Sequence, residues 1–165
     1  MKAPICQFCL ESEILCSKDQ ARLDTSQITK LDIEVARQLY KSGRAAHTLE
    51  SVELFRTEEL GDTVLAIVES QRPLAIDEVE KINRSASAGL HRDLKLIELK
   101  APQNKILQEL VLPKRVVSHS SLWLPDGSRY IRLRLSEGDG TPKPSFLSKL
   151  NQLSKGLLDS EVVIE

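Results

Sequence analysis

The chain has 165 residues, 41% of them hydrophobic and 28% charged, enough to bury one core or two very small ones. Its 23 basic and 24 acidic residues leave a net charge of −1, which excludes a global pull toward nucleic acid or membrane and confines any such binding to a local patch. No apolar run is long enough to span a bilayer, and the opening MKAPICQFC lacks the apolar stretch of a secretory signal, so a cytoplasmic protein is expected.

All three cysteines fall before residue 17, which suits a reducing compartment and metal or thiol chemistry better than a disulfide framework. Cys6, Cys9, Cys16 and Asp19 follow the spacing C-x2-C-x6-C-x2-D. A C-x2-C turn places two thiolates on one metal, and two such turns close a tetrahedral zinc site. Here the second turn offers Cys16 and a carboxylate, a rare fourth ligand in structural zinc sites. Three readings stay open: zinc held with Asp19, zinc completed by a distant histidine (His47, His91 or His119), or a decayed knuckle in which Cys6 and Cys9 act as small hydrophobes.

Asp24-Thr25-Ser26 offers helix-capping side chains, and Ile28, Leu31, Val35 and Leu39 recur at helical spacing, predicting an amphipathic helix over 27–42 capped by Gly43. Residues 52–60 read as a strand, Gly61-Asp62 breaks it, and 63–69 reads as a buried strand. Ile76, Val79, Ile82, Ala86 and Leu90 mark a second helix over 75–91, and 94–99 is a short strand. Pro102 opens a helix over 103–111, which Pro113 ends. Asp126-Gly127 signals a two-residue hairpin turn between strands of the stretch 116–135. After a glycine-rich loop over 138–144, Phe146, Leu150, Leu153 and Leu157 mark a last helix over 145–158, and 161–165 closes as a strand.

Counting outward from that turn pairs Trp123 with Tyr130, Leu122 with Ile131 and His119 with Arg134. Side chains alternate faces along a strand. One face is then a core of Leu122, Leu124, Ile131, Leu133 and Leu135. The other carries His119, Trp123, Tyr130, Arg132 and Arg134, with Lys114 and Arg115 at its entrance. Rings among cations are a common way to hold single-stranded nucleic acid, and a Trp–Tyr pair is also an ordinary sheet stabiliser.

The order α-β-β-α-β occurs twice, so the expected fold class is α+β: two tandem units, 25–100 and 101–165, behind a zinc-knuckle-like segment, 1–24. This order resembles a pair of prokaryotic-type KH domains. Together with KAPICQFCLESEILCSKDQARLD, ITKLDIEVARQLY and the Trp123-Leu-Pro-Asp-Gly127 hairpin, it resembles archaeal NusA-like KH proteins with an N-terminal cysteine cluster. The resemblance implies RNA binding linked to transcription elongation or termination, with single-stranded RNA and RNA polymerase or ribosome-associated machinery as partners. The chain departs from the family in two places. Asp19 stands where a fourth cysteine belongs. The G-x-x-G loop, whose bare backbone clamps four nucleotides, is replaced by Leu74-Ala-Ile-Asp77-Glu78. The second reading is therefore a protein-interaction module that has given up RNA. No set of residues has matched catalytic roles, and an enzyme is not expected.

Overall fold

The computed structural model describes residues 1–44, 49–112, 114–136 and 142–164. His47, Pro113 and the Gly138-Asp-Gly140 part of the expected loop lie outside them. The chain divides into two compact units, Met1–Lys100 and Ala101–Glu165. Among the described residues no helix is long and apolar enough to cross a membrane.

The first unit runs α1 (Gln7–Glu11), α2 (Ser17–Asp24), α3 (Lys30–Arg44), β1 (Val52–Leu60), β2 (Thr63–Ser70), α4 (Ile76–Leu90) and β3 (Asp93–Glu98). Its sheet has the order β1-β2-β3, with β1 antiparallel and β3 parallel to β2. β2 is buried through Val64–Val68, as befits the central strand of a covered sheet. Ile5, Cys9 and Leu10 enter the same core as Val35, Leu39, Val64, Val68, Ile82 and Leu96, so the cysteine segment is packed into this unit.

α3 begins three residues later than its apolar spacing alone suggests, because a better cap is available. The Thr29 hydroxyl accepts from the Asp32 N–H (3.0 Å) and Asp32 Oδ2 accepts from the Thr29 N–H (2.8 Å), a reciprocal capping box. The other oxygen, Oδ1, accepts from the Thr57 N–H (2.8 Å) and hydroxyl (2.6 Å), tying the helix start to β1 just past its irregularity between Leu54 and Arg56. Asp24 and Thr25 instead finish α2. Gly43 lies inside α3 rather than capping it; a Cβ there would meet the Leu49 side chain at 2.5 Å, so close packing explains the glycine. Ile76, expected on the apolar stripe of α4, is 71% exposed in the first turn of that helix.

The second unit runs α5 (Gln103–Val111), β4 (Val116–Trp123), β5 (Arg129–Leu135), α6 (Pro144–Leu158) and β6 (Glu161–Ile164). Its sheet has the order β4-β5-β6, again antiparallel then parallel. Ile106, Leu107, Leu110, Ile131, Leu133, Leu150 and Leu153 are buried.

The two units share side-chain detail as well as order. The eighth residue of α4 is Asn83 and the eighth of α6 is Asn151, in Lys81-Ile82-Asn83 and Lys149-Leu150-Asn151. Asn83 Oδ1 accepts from the Leu96 N–H (3.0 Å) and Asn151 Oδ1 from the Val162 N–H (2.8 Å), so each amide fastens its helix to the following parallel strand. Each of these helices ends on a left-handed residue, His91 (φ 53°) and Asp159 (φ 50°), which turns the chain back into that strand.

Candidate metal centre and hairpin face

Cys6 and Cys16 are the N-cap residues of α1 and α2, and Cys9 and Asp19 follow each by three. Two short helix starts therefore aim two ligands apiece at one point. One ligand atom from each of Cys6, Cys9, Cys16 and Asp19 lies within 4.8 Å of every other. The Cys6 Sγ is 3.3 Å from the Cys9 Sγ and 4.0 Å from the Cys16 Sγ. Zinc–sulfur bonds of about 2.3 Å in a tetrahedron put sulfurs roughly 3.8 Å apart, so the donor set fits one four-coordinate ion with small adjustments.

The surroundings favour this constellation. Asp19 is only 2% exposed. Its Oδ2 accepts from the Cys6 N–H (2.9 Å), and its Oδ1 lies 3.7 Å from the Arg22 guanidinium, which also donates to the Pro4 carbonyl. Burial works to raise the Asp19 carboxyl, yet the Cys6 N–H and then the neighbouring thiols hold it below the usual range. The Cys16 N–H donates to the Cys9 Sγ (3.1 Å). Burial pushes the Cys9 thiol up to about 12. The Asp19 N–H, pointed at the Cys16 sulfur, brings that thiol down. Helix α3 fastens the segment from behind: Arg37 Nε donates to the Cys9 carbonyl (3.1 Å), Tyr40 to Glu11 (2.5 Å), and Lys41 bridges Glu13 (2.5 Å). Cys6, Cys9, Cys16 and Asp19 thus stand together as their spacing suggests. Arg22 and Arg37, which surround them, carried no motif by which sequence reasoning could have found them.

The hairpin departs from its expected register. The turn spans three residues, not two. Gly127 N–H donates to the Leu124 carbonyl (3.0 Å), Leu124 N–H donates to the Ser128 carbonyl (2.9 Å), and Gly127 alone takes positive φ, +83°. A type I′ turn at Asp126-Gly127 needs positive φ at both residues; Pro125 instead opens a type I turn that Gly127 closes as a bulge. Asp126 Oδ1 braces this turn by accepting from the Ser128 N–H (2.9 Å) and hydroxyl (2.6 Å).

The pairing shifts by one residue: Leu122 faces Tyr130, Ser121 faces Ile131, Ser120 faces Arg132, His119 faces Leu133 and Trp123 faces Arg129. A one-residue shift exchanges the faces of β4 relative to β5. Trp123 and His119 therefore lie on the side of Ile131 and Leu133, away from Tyr130, Arg132 and Arg134. Trp123 is 71% exposed, with the Arg129 guanidinium 5.5 Å from its ring centroid. Leu122, expected in the core, is 40% exposed on the open face. There Leu122, Leu124, Tyr130, Arg132 and Val163 line a hollow of about 250 Å³. Arg134 is exposed along the same face, which Ser118 and Ser120 also share. Arg115 is exposed just ahead of β4, and Lys114 is half-buried, its carbonyl accepting from Gln108 Nε2 (3.2 Å). The structure thus keeps Tyr130, Arg132 and Arg134 together and separates Trp123 and His119 from them. Leu124 and Val163, which complete the open face, were not expected there, because the shorter turn sent Leu124 inward.

No family model matches the chain, and no curated protein matches it. Among solved structures the chain is similar to the crystal structure of APE1850, at 15% identity and a TM-score of 0.46, over 76% of this chain and 96% of that one.

Proposed function

We propose that the protein is a cytoplasmic RNA-associated factor of the transcription machinery, built on two degenerate KH-like units, with an N-terminal zinc knuckle held by Cys6, Cys9, Cys16 and Asp19. The observation that carries this reading is the twofold α-β-β-α-β order with a mixed three-stranded sheet in each unit. The usual glycine clamp is missing: the N-cap and first turn of α4 present Ala75, Ile76, Asp77 and Glu78, whose side chains crowd and repel a phosphate. RNA contact falls instead to the open face of the second sheet. Tyr130 offers a stacking ring there and Arg132 and Arg134 offer phosphate contacts. Zinc, when bound, supplies a structural crosslink between the starts of α1 and α2.

A filter-binding titration with single-stranded oligouridylate tests the proposal. Arg132→Ala and Arg134→Ala should each lower the slope of log affinity against log salt by about 0.7. Tyr130→Ala should cost about 1–3 kcal/mol with the slope unchanged, and Trp123→Ala should leave binding as it was. Binding indifferent to all three open-face changes overturns it. The exposed Leu122, Leu124 and Val163 on that face favour one alternative, a module that docks on polymerase or ribosome machinery without touching RNA. Capture of polymerase that survives nuclease and fails on Leu122→Ser would support it.

A further inference from the structure

Edge strands are usually blunted by charge, proline or brevity, because their outward N–H and C=O groups recruit other strands. β4 lies at the edge of the second sheet, is eight residues long, and contains neither proline nor Lys, Arg, Asp or Glu. Its irregularity is confined to its start, between Val116 and Ser118; from Ser118 to Trp123 the pairing with β5 is continuous. Leu124 N–H points to β5. By the alternation of antiparallel ladders Leu122, Ser120 and Ser118 also bond inward, while the N–H and C=O of His119, Ser121 and Trp123 face outward. Apolar side chains flank this outward row at Val117 and Trp123, both well exposed.

Charge selects the occupant. Between residues 114 and 135 the hairpin carries Lys114, Arg115, Arg129, Arg132 and Arg134 against the single acid Asp126, in a chain that is −1 overall. A second copy of this edge would bring the same cations into register with these. An acidic strand would meet them favourably.

We propose that β4 accepts an acidic, extended peptide segment as a fourth strand. Its backbone bonds to the outward groups of His119, Ser121 and Trp123. Its carboxylates lie on the open face toward Arg132 and Arg134, and its apolar residues lie on the other face against Trp123. β-strand addition of this kind draws affinity from the backbone and specificity from alternate side chains. The site shares Arg132 and Arg134 with the RNA contacts proposed above, but its backbone bonds are made by β4 alone, on which those contacts do not draw.

Trp123 is the only tryptophan, so its emission reports the event directly. The probe is a synthetic peptide of alternating valine and glutamate, titrated into the full chain. The expected result is a saturable blue shift that is absent with the valine–lysine counterpart. His119→Pro should weaken binding at least about 10-fold, because it deletes an outward N–H at an edge position that tolerates proline. His119→Ser, which keeps that N–H, should bind as the parent does, and far-ultraviolet circular dichroism checks that both variants stay folded. Equal binding by His119→Pro overturns the proposal. So does a blue shift that grows with protein concentration alone, which would assign the edge to a second copy. So does an oligouridylate that produces the same tryptophan shift, which would make the strand a polyanion surface; competition between the two at Arg132 and Arg134 is expected and does not. RNA binding lost while the peptide still binds would sink only the RNA reading.

Discussion

Asp19 sits in a position that two roles could explain. It is a metal ligand, or it is merely the acceptor that holds the Cys6 N–H. Asp19→Asn separates them, because asparagine keeps an acceptor oxygen and loses the charge. If Asp19 is a ligand, zinc retention against a competing chelator, followed by mass spectrometry of the metal, should weaken at least about 10-fold, the lower end of what losing even an outer-shell partner costs. Unchanged retention would reduce Asp19 to a brace. The cluster itself was legible from residue spacing, since C-x2-C and C-x2-D each fit one helix start. What surrounds it was not. Arg22 and Arg37 are ordinary helix-surface cations in the sequence, and only the packing of α2 and α3 brings them to the segment.

Whole elements were readable where apolar spacing was long and regular, as for α4, α6 and β2. They were misjudged where two local signals competed. Asp24–Ser26 and Thr29–Asp32 both look like helix starts, and the reciprocal bonds of Thr29 and Asp32 decided the matter. At the hairpin, Asp126-Gly127 competed with Pro125, and one residue of turn length exchanged the faces of β4. The turn can be tested on its own. No atom lies within 4 Å of a Cβ built on Gly127, so Gly127→Ala meets only the backbone penalty of its positive φ. The expected loss is about 1–2 kcal/mol in urea unfolding. Gly127→Asn, which tolerates that conformation better, should recover part of it. A neutral alanine would mean that the turn is not held as described.

At the scale of the whole molecule, the repeat was visible as an order of elements before any residue identity was. The Asn83 and Asn151 correspondence could have been found by aligning Lys-Ile-Asn with Lys-Leu-Asn, but three residues carry little weight until their amides are seen fastening equivalent strands. The first unit, and not the second, builds the cysteine segment into its core. If the proposed zinc is bound, stripping it should therefore act on the first unit. Amide hydrogen exchange after chelation should show lost protection through α1 and α2 and at the residues packed on Ile5 and Leu10. The second unit, Ala101–Glu165, should keep its protection. Equal loss in both units would contradict the division.

Lys2 forms an isolated parallel bridge to Glu53, its N–H donating to the Val52 carbonyl (2.9 Å) and its carbonyl accepting from the Leu54 N–H (2.9 Å). The N-terminal side of the cysteine segment is thus anchored by residues some fifty positions later in the chain. This sets a schedule for biogenesis. Until synthesis has passed Leu54 the bridge at Lys2 cannot form, and the cysteine segment is held only from the α3 side, through Arg37, Tyr40 and Lys41. Full closure of the thiol cluster on the ribosome should therefore wait for β1 to emerge. Nascent chains arrested between α3 and β1 should be labelled by thiol reagents faster than the full chain and more slowly than denatured protein.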